Sequence, residues 1–119
     1  MKILKTNQYY LFIYFDSTCI YCKNEIEIIH TNKSQIKNVE IFFISNEEVE
    51  TIKEFSKKFN FEGNHNIRFT HDINLGFYKK YNIIITPTLF FYNKDAILVK
   101  VQKGPITFKQ FQDIINIEF

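Results

Sequence analysis

Leu11-Phe12-Ile13-Tyr14-Phe15-Asp16-Ser17-Thr18-Cys19-Ile20-Tyr21-Cys22-Lys23-Asn24-Glu25-Ile26-Glu27-Ile28-Ile29 sets the reading of the whole chain. Its first five residues form a continuous apolar run, as in a central strand covered on both faces. Asp16, Ser17 and Thr18 break the run, Cys19-Ile20-Tyr21-Cys22 follows, and a helix-like run continues from Lys23 to Ile29. Two residues between Cys19 and Cys22 put both sulfurs within one helical turn, close enough to bridge if the first lies at the helix entrance. Free backbone N–H groups and the positive end of the helix dipole meet there and favour thiolate over thiol. This placement predicts a redox-active dithiol, with Cys19 the exposed attacking sulfur and Cys22 the more buried, resolving one.

Three other readings compete. A structural disulfide is one, although a bridge closing so short a loop removes little chain entropy. A metal site is another, because a CxxC is half of many zinc sites. The other half is missing: His30, His65 and His71 are scattered, without paired spacing, and no metal is expected. The third is a pair of buried spectator thiols, against which the polar turn before Cys19 argues for an exposed tip.

The 119 residues are expected to form a single domain over 1–119, with 1–8 peripheral. With 45% hydrophobic and 18% aromatic residues, the chain is not a disordered one. Fourteen Phe and seven Tyr beside no Trp resemble genomic codon bias more than selection for a ligand. Basic and acidic residues are interspersed to a net charge of +2, which leaves neither a nucleic-acid footprint nor a polybasic membrane patch. No apolar run has the length of a membrane span, and no secretory pattern precedes Leu11. The chain is therefore expected to be either cytoplasmic or a mature or excised domain whose Met1 is not native.

Further along, Ile26 and Ile29, with Ile36, mark the inner face of the first helix. Val39 to Ile44 reads as a second strand. Ser45 or Asn46, followed by Glu47 and Glu48, reads as the N-cap and acidic first turn of a second helix with an Ile52, Phe55, Phe59 stripe. A short strand at Ile67 to Phe69 precedes a short helix that Asp72 starts and Asn82 stops. Ile83-Ile84-Ile85 leads through Thr86-Pro87-Thr88 into a strand at Leu89 to Tyr92. Asn93 to Ala96 reads as a hairpin turn, Ile97 to Gln102 as the returning strand, and Gly104-Pro105 as its end. A last helix from Thr107 carries Phe108, Phe111, Ile114 and Ile115 inward, with Ile117 and Phe119 near its end. Parallel crossovers followed by an antiparallel hairpin predict an α/β domain, a central mixed β-sheet flanked by helices on both faces.

CxxC at a strand-to-helix turn, together with the distant Ile85-Thr86-Pro87-Thr88-Leu89 before a hairpin, resembles the thioredoxin-like superfamily. His71-Asp72 with Tyr81-Asn82-Ile83 is similar to the connection in TlpA-like envelope thiol-disulfide oxidoreductases. The resemblance runs from Leu11 onward and implies a thioredoxin-like fold. It also implies that the bond before Pro87 is cis and that its loop packs against the cysteines, where the backbone of Thr86 pairs with a substrate chain. Glu25 matches a glutamate that in TlpA-like proteins helps move a proton to or from the buried thiol; an exposed helix residue is the alternative. The cofactor is then none beyond a redox-active Cys19–Cys22 disulfide. The implied partners are protein thiols and disulfides with an unidentified thiol electron donor, the implied state a monomer, and the implied location a bacterial cell envelope or periplasm.

Departures narrow the expectation. Ile13 and Thr18 stand where classical thioredoxins carry a buried aspartate and a tryptophan, and Ile20-Tyr21 replaces Gly-Pro. These argue against a general cytosolic thioredoxin. With no histidine or other cation between the cysteines to stabilise the Cys19 thiolate, a reductant is expected rather than an oxidant. A non-catalytic thioredoxin-like binding or assembly module with a structural disulfide is the alternative.

Overall fold

β1 (Tyr9–Tyr14) is the central strand of a five-stranded sheet with the order β3-β2-β1-β4-β5. The computed structural model describes residues 9–36, 38–61 and 63–118, with side chains through residue 115. The expected peripheral stretch 1–8 lies outside these residues, as do Phe119 and the side chain of Ile117. β2 (Val39–Ser45) and β3 (Ile67–His71) run parallel to β1, whereas β4 (Thr88–Tyr92) pairs antiparallel with β1 and with β5 (Leu98–Lys103). Helices α1 (Ile20–Thr31) and α2 (Val49–Ser56) lie in the parallel crossovers, α3 (Gly76–Tyr81) precedes β4, and α4 (Phe108–Glu118) follows β5.

The period of two along the strands divides the side chains between two faces. Leu11, Ile13, Phe43, Leu89 and Phe91 face a core closed by Ile26 and Ile29 of α1, Phe55 of α2 and Phe111 of α4. Phe15 stacks on Phe55 at 5.4 Å and meets Phe69 edge-on at 5.8 Å. On the other face, Tyr14, Ile44 and Phe90 join Phe77 and Tyr81 of α3 and Ile83 beyond it. Phe12 lies between Phe42, at 4.7 Å, and Phe77, at 5.3 Å. The abundant aromatic residues thus build both cores, and each fully buried ring contributes about 2–3 kcal/mol over an exposed one.

Several boundaries differ from the sequence-based expectation. α2 begins at Val49 with Glu48 at the N-cap and no side-chain cap, because Ser45 ends β2 instead. The Glu47 carboxylate is engaged elsewhere, accepting from Ser17 and Ser45. Phe59 lies past the end of α2 yet packs against the core. Ile36 is buried but follows a short 3-10 turn (Lys33–Gln35), not α1. Ile84 and Ile85, which lead into β4, are exposed, and the strand starts at Thr88, one residue before the expected Leu89.

Asp72 locks α3 to the sheet. Its Oδ2 accepts from the Tyr14 hydroxyl at 2.7 Å and from the Tyr78 N–H at 3.0 Å, while Oδ1 accepts from the Phe77 N–H at 2.8 Å. Asp72→Ala leaves the buried Tyr14 hydroxyl and the first α3 amides without this acceptor. Chemical denaturation is expected to show a loss of about 2 kcal/mol; an unchanged midpoint refutes that role.

Candidate functional site

The topology gathers one end of the sheet. The carboxyl ends of β1, β2 and β3 emerge together because these strands are parallel, and the amino end of β4 joins them because Thr88 pairs with Tyr14 in the antiparallel register. Cys19 and Thr86 therefore meet, although almost seventy positions separate them.

Cys19 is the N-cap of α1, with φ −82° and ψ 116°, and its Sγ accepts the Cys22 N–H at 3.1 Å. A sulfur thus fills the position that a Ser or Asp oxygen usually takes, and it receives one of the unpaired first-turn donors. The turn before it closes through Cys19 N–H to the Asp16 carbonyl at 3.1 Å. Asp16 Oδ1 accepts from the Thr18 N–H at 2.9 Å and its hydroxyl at 2.7 Å. Cys19 is half-buried and Cys22 buried, and both are free thiols. Burial pushes the Cys22 thiol up to about 12; Cys19 adds to the rise, and hydrogen bonds from the Asp16 backbone and Thr86 partly oppose it.

The Thr86–Pro87 peptide bond is cis, and Pro87 is fully buried. The Cys19 thiol donates to the Thr86 carbonyl at 3.5 Å. From the other side, the Gly104 N–H donates to the Pro87 carbonyl at 2.8 Å. Three separated segments are thereby joined at one edge: the α1 entrance, the loop before β4 and the end of β5.

Glu25, one helical turn beyond Cys22, is only 1% exposed, so it is not an exposed helix residue. Its Oε1 accepts from the Ile106 N–H at 2.9 Å, and its Oε2 has no partner among the described residues. Burial raises this carboxyl from the ordinary 4.5 to about 7, against the opposing pull of the Ile106 N–H. A group that gains and loses a proton near neutral pH suits proton transfer.

Two features escaped the sequence reading. Ile20 and Tyr21 between the cysteines, and Ile84 and Ile85 before Thr86, are 61%, 58%, 77% and 46% exposed. Periodicity read Ile84 and Ile85 as leading into a strand. Glu47, read as a first-turn acid, instead binds the turn that carries Cys19. No group of three or more His, Cys, Asp or Glu among the described residues is arranged to hold a metal ion. Likewise, no described helix is long and apolar enough to cross a membrane.

Among solved structures, StoA from Bacillus subtilis is 22% identical, with a TM-score of 0.72, covering 93% of this chain and 84% of that one. A thiol-disulfide isomerase from Corynebacterium glutamicum is 16% identical, with a TM-score of 0.79 and coverage of 95% and 81%. The exposed lipoprotein thioredoxin of Streptococcus pneumoniae is 14% identical, with a TM-score of 0.78 and coverage of 93% and 85%. These likenesses establish the shared fold. No curated protein matches the chain in sequence. The thioredoxin-like domain family, however, matches residues 1–117, and with that match and the mixed sheet that sets a CxxC against Pro87, the chain belongs to this family.

Proposed function

We propose that the protein is a thiol-disulfide oxidoreductase that reduces protein disulfides through Cys19 and Cys22. The observation that carries this reading is the Cys19 sulfur, held at the mouth of α1 by the Cys22 N–H and 3.5 Å from the Thr86 carbonyl beside Pro87. The Cys19 thiolate attacks one sulfur of a substrate disulfide, a Cys19–substrate bond forms, and the other substrate sulfur leaves as a thiolate and takes a proton. Thr86 and Pro87 hold the substrate backbone alongside in a short strand-like contact. Cys22 then gives up its proton and attacks Cys19 Sγ. The second substrate sulfur leaves, and the Cys19–Cys22 disulfide remains for a thiol donor to reduce.

A thiol pushed up to about 12 is a poor nucleophile near neutral pH until a base takes its proton. Glu25, raised to about 7 and one turn away, is the acceptor in this reading. The exposed Ile20, Tyr21, Ile84 and Ile85 support a polypeptide substrate with apolar residues near its cysteine. Reduction is the favoured direction because neither residue between the cysteines is cationic. The protein works as a monomer in the cell envelope. That location is supported by relatives of the same fold described as a secreted Mycobacterium tuberculosis disulfide oxidoreductase and as an exposed lipoprotein thioredoxin.

A Cys22→Ser variant tests the order of the steps. Mixed with a disulfide-bonded protein such as insulin, it is expected to accumulate a covalent adduct through Cys19 that dithiothreitol releases. Absence of an adduct at Cys19, or insulin reduction at the parent rate, overturns the mechanism.

A further inference from the structure

The turn that presents Cys19 is held from outside its own segment. Glu47, in the connection between β2 and α2, accepts from the Ser17 N–H at 3.0 Å through Oε1 and from the Ser17 hydroxyl at 2.6 Å through Oε2. Glu47 is itself fixed from two further strands. Ser45, the last residue of β2, donates its hydroxyl to Oε1 at 3.0 Å and accepts the Glu47 N–H at 3.1 Å. His71, the last residue of β3, donates Nδ1–H to the Glu47 carbonyl at 2.8 Å. Glu47 thus joins the chain after β1 to the end of β2 through its carboxylate and to the end of β3 through its backbone carbonyl. It grips the chain two residues before the reactive sulfur, and charge-assisted hydrogen bonds of this kind are among the stronger ones.

We propose that Glu47 is the positioning residue of the dithiol site, fixing the Ser17 turn so that Cys19 Sγ stays at the α1 N-cap between the Cys22 N–H and the Thr86 carbonyl. This rests on the function proposed above and adds to it the residue that sets the geometry of the attacking sulfur. Local bonds alone leave the turn under-determined. Asp16 braces Thr18 and Cys19 from within the same four residues, and nothing in that bracing fixes the turn relative to the sheet. The Glu47 contacts supply that reference. A loop freed from them lets the sulfur drift from the amide it accepts, and displacements of about 1 Å at a reacting group can cost up to a hundredfold in rate.

Charge and position predict opposite signs, which makes the test decisive. Removing a nearby carboxylate for its charge alone makes the thiolate easier to form, so alkylation of Cys19 speeds up. Removing it as a support weakens the contact with the Cys22 N–H, so alkylation slows. The experiment measures the iodoacetamide alkylation rate of Cys19 in the fully reduced protein, for the parent and for Glu47→Ala, Glu47→Gln, Ser17→Ala and the Ser17→Ala, Glu47→Ala double variant. Glu47→Ala is expected to react about threefold to tenfold more slowly. Glu47→Gln, which keeps an oxygen for the Ser17 N–H, is expected to stay within about twofold of the parent. The double variant is expected to be no slower than Glu47→Ala, since both residues act through one contact.

A Glu47→Ala rate equal to or above the parent's overturns the proposal. If Glu47→Ala does not fold, Ser17→Ala decides alone: slower alkylation with an unchanged melting temperature supports the proposal, and an unchanged rate overturns it. Alkylation needs no substrate protein, so the result stands apart from the function proposed above, which fails separately if the parent does not reduce insulin.

Discussion

Cys19→Ser is expected to bring insulin reduction, with dithiothreitol as electron source, down to the rate of dithiothreitol alone, a loss of at least about a thousandfold in the protein's contribution. A serine hydroxyl is not ionised near neutral pH and forms no bond with a substrate sulfur, so neither the first attack nor the mixed disulfide is available. The substitution is also gentle on the fold. Serine is a favoured N-cap, and its oxygen can accept the Cys22 N–H that Cys19 Sγ accepts in the parent. Stability is therefore expected to stay within about 1 kcal/mol of the parent. Loss of activity together with an unfolded chain would not meet the prediction, and retained activity in a folded variant would remove the dithiol mechanism.

The second large effect concerns Glu25. Its folded-state value of about 7 exceeds the ordinary 4.5 that applies to the unfolded chain. The folded protein therefore binds this proton more tightly, and the contribution to stability is fully present below about pH 4.5. It is lost as pH rises through about 7, above which the folded state keeps a buried carboxylate. A tenfold difference in proton affinity is worth about 1.4 kcal/mol, so the full difference is worth about 3 kcal/mol.

Glu25→Gln keeps an oxygen for the Ile106 N–H and never ionises. Between about pH 4 and about pH 8, the parent is expected to lose about 3 kcal/mol relative to this variant in parallel denaturant titrations. Equal pH dependence in the two proteins would mean that Glu25 titrates normally, and the proton-acceptor role would lose its basis. The same variant bears on chemistry: release of the Cys19 adduct is expected to slow, because Cys22 has lost its neighbouring base.

These two positions differ in how legible they are. The pairing of a CxxC with an apolar strand before it and a helical pattern after it depends on nearest neighbours along the chain, so Cys19 at a helix entrance follows from local rules. The element order follows in the same way: parallel crossovers and a terminal hairpin come from periodicity and turn residues, and they fix the sheet's mixed character. Glu25 was legible as a residue one turn from Cys22, but its burial was not. That burial comes from the loop after β5, whose Ile106 amide meets the carboxylate from eighty-one residues away.

Helix boundaries show the same division. Ser45-Asn46-Glu47-Glu48 carries a local capping pattern, and an isolated segment would follow it. In the folded protein, the parallel register with β3 extends β2 through Ser45, and Ser17 claims the Glu47 carboxylate. Tertiary hydrogen bonds outweigh a cap worth about 1 kcal/mol. The exposure of Ile84 and Ile85 has a related reason: the β1–β4 register starts at Thr88, and the stretch before it serves the Pro87 loop at the surface.

By itself, then, the chain determined the α/β order, the dithiol at a strand-to-helix turn and the candidates Cys22, Glu25, Thr86 and Pro87, because each rests on local spacing or on a motif. Only the tertiary structure decided that Glu25 is buried with one oxygen unpartnered among the described residues, that the Thr86 carbonyl faces Cys19, and that Glu47 grips the turn before it. Burial and long-range hydrogen bonds depend on which strands become neighbours, and strand pairing brings together residues whose spacing along the chain carries no sign of their contact.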